Sequence, residues 1–292
     1  MIEKTKLFGI VIWYYPTKEN VFNINSYIDY VHKLIIIDNS DVDNSHLLAH
    51  IEKSKIIYKG NNQNKGMATA LNQGCKFALE SGSDWVLTMD QDSCFFENNL
   101  SSFLQFVNEY TDFTKVAIFA PIHFDSRNIT QKQVFENTYS KLNYTMTSGN
   151  LLSLEKLQKT GFFLEDLFID WVDEEICIRF CKLQFQIVQI NPILMEHFVG
   201  NGTGKTTIFG ISKYFDDYAP IRFYYITRNV FILSKMYPLD ADRLKKRWKR
   251  LILKTVKYDN KNKWTKIKYV VRGILDYTQG ITGPIIEASK KK

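Results

Sequence analysis

Short apolar runs alternate along the chain with longer stretches in which apolar positions recur every three or four residues. That alternation predicts a mostly parallel sheet covered by helices. Leu7 to Tyr14 reads as a buried first strand, stopped by Pro16. Leu34 to Ile37 reads as a second, ending on Asp38-Asn39-Ser40, and Lys55 to Tyr58 as a third. Asp84 to Thr88 reads as a fourth, ending on Asp90-Gln91-Asp92-Ser93. Between the last two, Met67, Ala70, Leu71, Phe77, Ala78 and Leu79 fall at helical spacing, and Gly82 suits the stop. The fold class is therefore α/β, a Rossmann-like sheet with helices on both faces. Polar and acidic residues gather at the carboxyl ends of its strands, where open α/β sheets bind ligands.

At 292 residues with 45% apolar and 14% aromatic content, the chain can bury a large core, and disorder is excluded. Charge changes the picture more than composition does. From Lys235 to Lys292 there are 17 basic and 5 acidic residues, whereas the first 234 residues carry 21 basic and 26 acidic. A mildly acidic body with a basic tail predicts a catalytic domain over residues 1–205 and a helical, basic region over 206–292. The tail would meet an anionic partner such as lipid headgroups or a lipid diphosphate, unless it is simply a solvated helical face. Cys75, Cys94, Cys177 and Cys181 form no CxxC pair. Cys177 and Cys181 would share a helix face as buried thiols, which suits a reducing cytoplasm. The first apolar run is too short for a secretory signal, and no stretch approaches the length of a membrane span. Membrane contact is expected to be peripheral, on the inner face of the cell membrane. The Asn-x-Ser/Thr matches at Asn128, Asn143 and Asn201 are then coincidental.

Asp90-Gln91-Asp92 follows a strand, which gives two carboxylates one residue apart a specific use. One can reach toward a ribose or base, the other toward a divalent cation held by diphosphate oxygens. A turn or helix cap would use the same residue types. A second acidic cluster, Asp170 to Glu175, runs into a segment ending at Arg179. Crowded acids can raise one pKa toward neutrality, as a base requires, and an acidic first helical turn is the simpler alternative. His197 precedes a glycine-rich loop and offers an imidazole to a metal or a diphosphate, although a lone histidine is more often structural.

The blocks IVIWYYP, IIIDNS, NKGMATALNQG and DWVLTMDQDS, followed by FIDWVDEEICIRF, MEHFVGNGTG, RFYYITRN and RGILDYTQGITG, occur in an order that resembles family 2 glycosyltransferases. The likeness is to the rhamnosyltransferase-like branch and covers nearly the whole chain. It implies a GT-A fold and an inverting transfer from a nucleotide diphosphate sugar, with dTDP-L-rhamnose the leading donor and UDP-linked sugars open. The acceptor would be a hydroxyl of a surface polysaccharide or lipid-linked glycan. Carried over by residue, the resemblance implies that Tyr15 and Pro16 line the nucleotide site and that Asp38 bonds the pyrimidine. Asn64 and Gly66 would pack near the nucleotide, Asp90 near the ribose, and Asp92 on Mg²⁺ or Mn²⁺ with His197 as a further ligand. Asp173 takes the place of the catalytic aspartate and Glu175 that of the second acid. Val172 stands where the family has a glutamate, and Lys65 where it has an apolar residue.

Two other readings compete. Gly200-Asn201-Gly202-Thr203-Gly204-Lys205 looks like a P-loop, but the pattern needs glycine where Val199 stands. A flexible loop closing over the donor diphosphate, with Lys205 offsetting charge, fits better. Trp248, Tyr258, Trp264 and Tyr269 interleave with lysines as a nucleic-acid stacking platform would. The strand-end acids would repel phosphates without a metal, so no nucleic-acid partner is expected. A non-catalytic scaffold would not require Asp90, Asp92 and Asp173 together.

Overall fold

The computed structural model describes residues 2–125, 137–197, 203–208, 211–216, 218–259 and 261–286. In chain order the strands are β1 Leu7–Trp13, β2 Lys33–Asp38, β3 Ile56–Gly60, β4 Trp85–Asp90, β5 Cys94–Phe95, β6 Val116–Phe124, β7 Tyr139–Leu142, β8 Asn150–Ser153 and β9 Gln186–Glu196. A separate hairpin joins β10 Thr203–Ile208 to β11 Ile211–Asp216. The helices are α1 Lys18–Ile24, α2 Met67–Glu80, α3 Asn99–Glu109, α4 Leu154–Thr160, α5 Val172–Lys182, α6 Pro220–Met236, α7 Ala241–Tyr258 and α8 Lys263–Thr278. No helix among the described residues is long and apolar enough to cross a membrane.

The chain forms two compact units, residues 1–163 with 173–198, and residues 164–172 with 199–292. In the first unit the sheet order is β3-β2-β1-β4-β8-β6-β9-β5, with β7 also paired to β9. The strands β3, β2, β1 and β4 are mutually parallel, as expected. The antiparallel β8 then sits between β4 and β6 and separates two groups of parallel strands. This mixed half escapes a strand-by-strand reading because pairing depends on partners far away in sequence. The central strands are apolar on both sides: Ile10, Val11, Ile35 and Ile36 have no exposed surface, as strands covered on both faces require. Trp13, Tyr27, Phe103 and Phe119 fill the core around them.

In the second unit, α6 is buried along most of its length and packs against α7 and α8. Gly273 lets α8 lie directly on α6, since a Cβ there would come within 2.6 Å of the Tyr224 carbonyl oxygen. Arg228 of α6 is fully buried and donates to the carbonyls of Asp166, Leu167 and Gly283 at 3.1, 3.3 and 2.6 Å. Asn229 donates to those of Leu167, Ile169 and Asp170. Together they hold a turn in which Phe168, Asp170 and Trp171 all have positive φ, 64° to 65°. Such strain persists only where surrounding bonds over-determine it. The hairpin was not expected: helices were read from residue 206 on, but they begin at Pro220. Thr206, Thr207 and Ile208 opposite Ile211 make a β-branched pair of strands, and that local preference wins. Residues 200–202 of the glycine-rich loop lie outside the described residues, as do Asn128 and Asn201. The strand that follows at Thr203 is the reverse of a P-loop, which opens a helix.

Gly149 joins the two halves of the sheet at the loop before β8. It has φ 74°, its N–H donates to the Thr88 carbonyl at 2.6 Å, and a Cβ would fall on the Met195 sulfur. Gly149→Ala is expected to lower unfolding free energy by about 2 kcal/mol or more, through left-handed strain plus overpacking. Urea denaturation of the two proteins checks this, and equal midpoints would contradict it.

Candidate active site

The carboxyl ends of β1, β2 and β4 are adjacent in the sheet, so the residues following them share one edge. At the end of β4, one ligand atom from each of Asp90, Asp92 and His197 lies within 4.8 Å of the others. Two carboxylates and one imidazole make a donor set suited to a hard or borderline divalent cation. His197 is held by its surroundings. Its Nδ1 is 2.7 Å from the Ser93 hydroxyl and 3.8 Å from Asp90 Oδ2, and its peptide N–H donates to the Phe124 carbonyl. Ser93 therefore orients the imidazole, which gives the last residue of the Asp-Gln-Asp-Ser sequence a task. His123 packs edge-on against His197 with ring centroids 5.7 Å apart. Its Nε2 lies 2.7 Å from the Ser148 carbonyl, an acceptor, so that nitrogen carries the proton. Burial holds the His123 pKa down at about 4, so the neighbour of His197 is neutral near pH 7.

Tyr15 stands just past β1 with φ 48°, a strained position for a residue with a Cβ. Its N–H donates to the Ser40 hydroxyl at 2.7 Å and its own hydroxyl to Asp41 at 2.7 Å. The bond to Asp41 pushes the Tyr15 pKa up to about 12. Tyr14 and Tyr15 are both about half exposed and meet edge to face at 4.6 Å, with the half-buried Pro16 after them. Asp38 has no exposed surface. Its carboxylate accepts from the Ser40 N–H, the Asn44 amide and the Tyr58 hydroxyl at 2.9, 2.8 and 2.7 Å. It organises the turn that reaches Tyr15 rather than presenting a free carboxylate. Asn64 accepts from the Gly66 N–H at 2.9 Å, closing the turn that opens α2. Asn39, which the sequence did not single out, donates to the Gly66 carbonyl and accepts from Asn61.

Asp173 lies in the first turn of α5. Its Oδ2 accepts from the Tyr144 hydroxyl at 2.8 Å and its Oδ1 from the Glu174 N–H at 2.9 Å. Tyr144 belongs to a stretch that also serves β4: the Ser148 hydroxyl accepts from the Asp90 N–H, and Thr88 donates to the Thr147 carbonyl. One short stretch thus reaches both acidic groups, through Tyr144 at Asp173 and Ser148 at Asp90. Nothing local in the sequence marked Tyr144 or Ser148, because their partners lie 29 and 58 residues away. Glu175 is placed differently from Asp173. It is 1% exposed, and both its oxygens are taken by Arg179, at 3.0 and 2.6 Å. Arg179 donates further to the carbonyls of Thr160, Gly161 and Phe162. This pairing fastens α5 to the end of α4 and gives Glu175 a scaffolding task. Cys177 and Cys181 lie along the same helix and are not joined in a disulfide; Cys177, directed at the Thr145 carbonyl, is buried as expected, whereas Cys181, directed at the Asn143 carbonyl, is only partly so.

The sheet architecture agrees with the comparisons. The model of glycosyl transferase family 2 matches residues 18–166, and the chain belongs to that family. It is a nucleotide-sugar-dependent glycosyltransferase. Over 301 aligned residues it is 28% identical to the dTDP-rhamnosyl transferase RfbF of Shigella flexneri, covering 96% of this chain and 97% of that protein. Among solved structures it resembles S. aureus TarS 1-349 in complex with UDP-GlcNAc, with TM-score 0.57, 13% identity and 94% and 81% of the two chains covered. A second S. aureus TarS structure gives TM-score 0.58 at 14% identity, covering 94% of this chain and 49% of that one. The shared fold is GT-A.

Glu175→Gln is expected to destabilise the protein by about 3 kcal/mol, because it leaves a largely buried guanidinium without its counter-charge. Chemical denaturation measures this, and an unchanged midpoint would show that Arg179 is satisfied by the carbonyls alone.

Proposed function

We propose that this enzyme transfers L-rhamnose from dTDP-L-rhamnose, with inversion, to a hydroxyl of a surface polysaccharide or lipid-linked glycan. The observation that carries the reading is similarity to a dTDP-rhamnosyl transferase over nearly the full length of both chains. The exposed Tyr14–Tyr15 pair and Pro16 form a wall for the base and ribose, and Asp38 acts on it through Ser40 and Tyr15. Asn64 and Gly66, which close the turn that opens α2, pack near the nucleotide in this reading. Asp92 and His197 would hold Mg²⁺ or Mn²⁺, and Asp90, whose carboxylate lies within 4.8 Å of their ligand atoms, would stand beside the ribose. A bound cation would offset the charge of the donor diphosphate and of the departing nucleotide.

Asp173 is the general base in this reading. It takes the proton of the acceptor hydroxyl while that oxygen forms its bond to the anomeric carbon and the bond to the diphosphate breaks on the opposite face. The Tyr144 hydroxyl and the Glu174 N–H fix the orientation of the carboxylate. Turnover of dTDP-L-rhamnose should require a divalent cation and be lost in EDTA. Asp92→Asn should lose both turnover and metal-dependent nucleotide binding. Asp173→Asn should keep nucleotide affinity while turnover falls on the order of 10²-fold. An active Asp92→Asn enzyme refutes the metal assignment, and a product that retains the donor's anomeric configuration refutes the mechanism.

The acceptor side of the reading includes an anionic membrane surface. Along α7, Lys246, Lys249, Arg250, Leu253, Val256 and Lys257 are all exposed. On α8, Trp264, Lys268, Val271 and Leu275 form a second exposed stripe. Mixed basic and apolar faces of this kind suit the bilayer interface. Trp248, in contrast, turns inward: its indole N–H donates to Thr227 and its ring meets Phe231 edge-on, so it serves neither lipid nor base stacking. Each basic residue near an anionic surface contributes about 1 kcal/mol. The protein should sediment with phosphatidylglycerol liposomes at low salt. Replacing Lys246, Lys249, Arg250 and Lys257 by Gln should release it without altering nucleotide binding. Equal sedimentation with neutral vesicles would count against the surface.

A further inference from the structure

Between the two acids of the β4 end stands Gln91, and its bonds lead away from them. Its side-chain oxygen accepts from the Tyr14 N–H at 2.8 Å, and its side-chain amide donates to the Tyr14 carbonyl at 3.2 Å. Both ends of one amide thus close a ring on the main chain of one residue, which only a group that is donor and acceptor at once can do. The Gln91 carbonyl in turn accepts from the side-chain amides of Asn20 and Asn23 on α1, each at 3.1 Å. Four bonds therefore run from the residue between Asp90 and Asp92 to the segment that follows β1. That segment holds Tyr15 at φ 48°, and strained residues keep their geometry only when neighbours enforce it.

We infer that Gln91 is a positioning residue: it fixes the spacing of Asp90 and Asp92 against the Tyr14–Tyr15 wall, so that metal and nucleotide meet a preassembled site. The inference rests on the metal-nucleotide reading of this site. Its physical basis is that a ligand set already held in place loses less conformational freedom on binding. A helix cap or turn at this place would need no bond to Tyr14. The amide ring specifically links the acids to the first strand, and α1 braces it from the other side.

The test measures Mn²⁺-dependent binding of dTDP and of UDP by calorimetry, without turnover, in wild type, Gln91→Met and Asn23→Ala. Gln91→Met keeps the side-chain length but loses both bonds to Tyr14. It should weaken nucleotide binding in Mn²⁺ on the order of tenfold. Asn23→Ala removes one brace and should weaken it about threefold, and it covers the case in which Gln91→Met fails to fold. Nucleotide binding in EDTA should change less than binding in Mn²⁺, which a loss of general stability would not produce. Unchanged Mn²⁺-dependent affinity in either folded variant overturns the inference while leaving the site reading intact. A wild type that binds neither nucleotide with Mn²⁺ overturns both.

Discussion

The interaction on which this structure most depends is the satisfaction of main-chain polar groups at the carboxyl ends of β1, β2 and β4. These strands stop in or near the interior, where an unbonded N–H or C=O costs about 1 to 3 kcal/mol. Side-chain amides and hydroxyls fill the need. Asn39 N–H reaches the Trp13 carbonyl and the Asn39 amide reaches the Gly66 carbonyl, while Ser40 takes the Tyr15 N–H and Gln91 takes Tyr14 at both ends. Ser148 takes the N–H of Asp90 from the loop that leads into β8, the next strand of the sheet. The groups that close the sheet edge are thus the neighbours of those proposed to face a ligand.

That arrangement accounts for the division of labour among the acids. Asp38, Glu174 and Glu175 are buried. Asp38 is spent on a turn, and Glu175 on Arg179. Asp90, Asp92 and Asp173 keep some exposure, so they remain able to meet solvent, ion or substrate. Burial separates Asp38, Glu174 and Glu175 from Asp90, Asp92 and Asp173 more sharply than spacing along the chain does, and the proposed function gives the chemistry to the second group. A buried carboxylate is tolerated only when its oxygens are bonded, and those bonds consume the lone pairs a ligand would need.

The second unit follows the same principle with backbone strain in place of strand ends. Three positive-φ residues within four positions, Phe168, Asp170 and Trp171, are accommodated because Arg228 and Asn229 satisfy the carbonyls of that turn, and Arg222 pairs with Asp170 itself. Trp171 is anchored by its indole N–H on the Ile226 carbonyl, with the Arg247 guanidinium 5.1 Å from the ring centre. Arg247 stays exposed on α7 while its guanidinium covers that ring, so one residue of the basic face also packs within the unit. The charge run in the sequence divides into residues that pack and residues that face solvent.

The sequence alone determined the parallel strands β1 to β4, helix α2 and the strand-end acids, because periodicity and strand-end chemistry are local properties carried by adjacent residues. It also marked Asp90, Asp92 and His197, and the family resemblance implied that Asp92 and His197 meet, but not that Ser93 orients the histidine 104 residues away. Tertiary structure decided which acids are spent. Asp173 and Glu175 lie two positions apart in the same acidic run, yet one meets Tyr144 and the other Arg179. It also placed β8 antiparallel at the centre of the sheet, inserted the hairpin 203–216 before α6, and turned Trp248 inward. These outcomes depend on which distant surfaces meet, and pairing between distant segments is set by the packing of the whole core rather than by the letters around each residue.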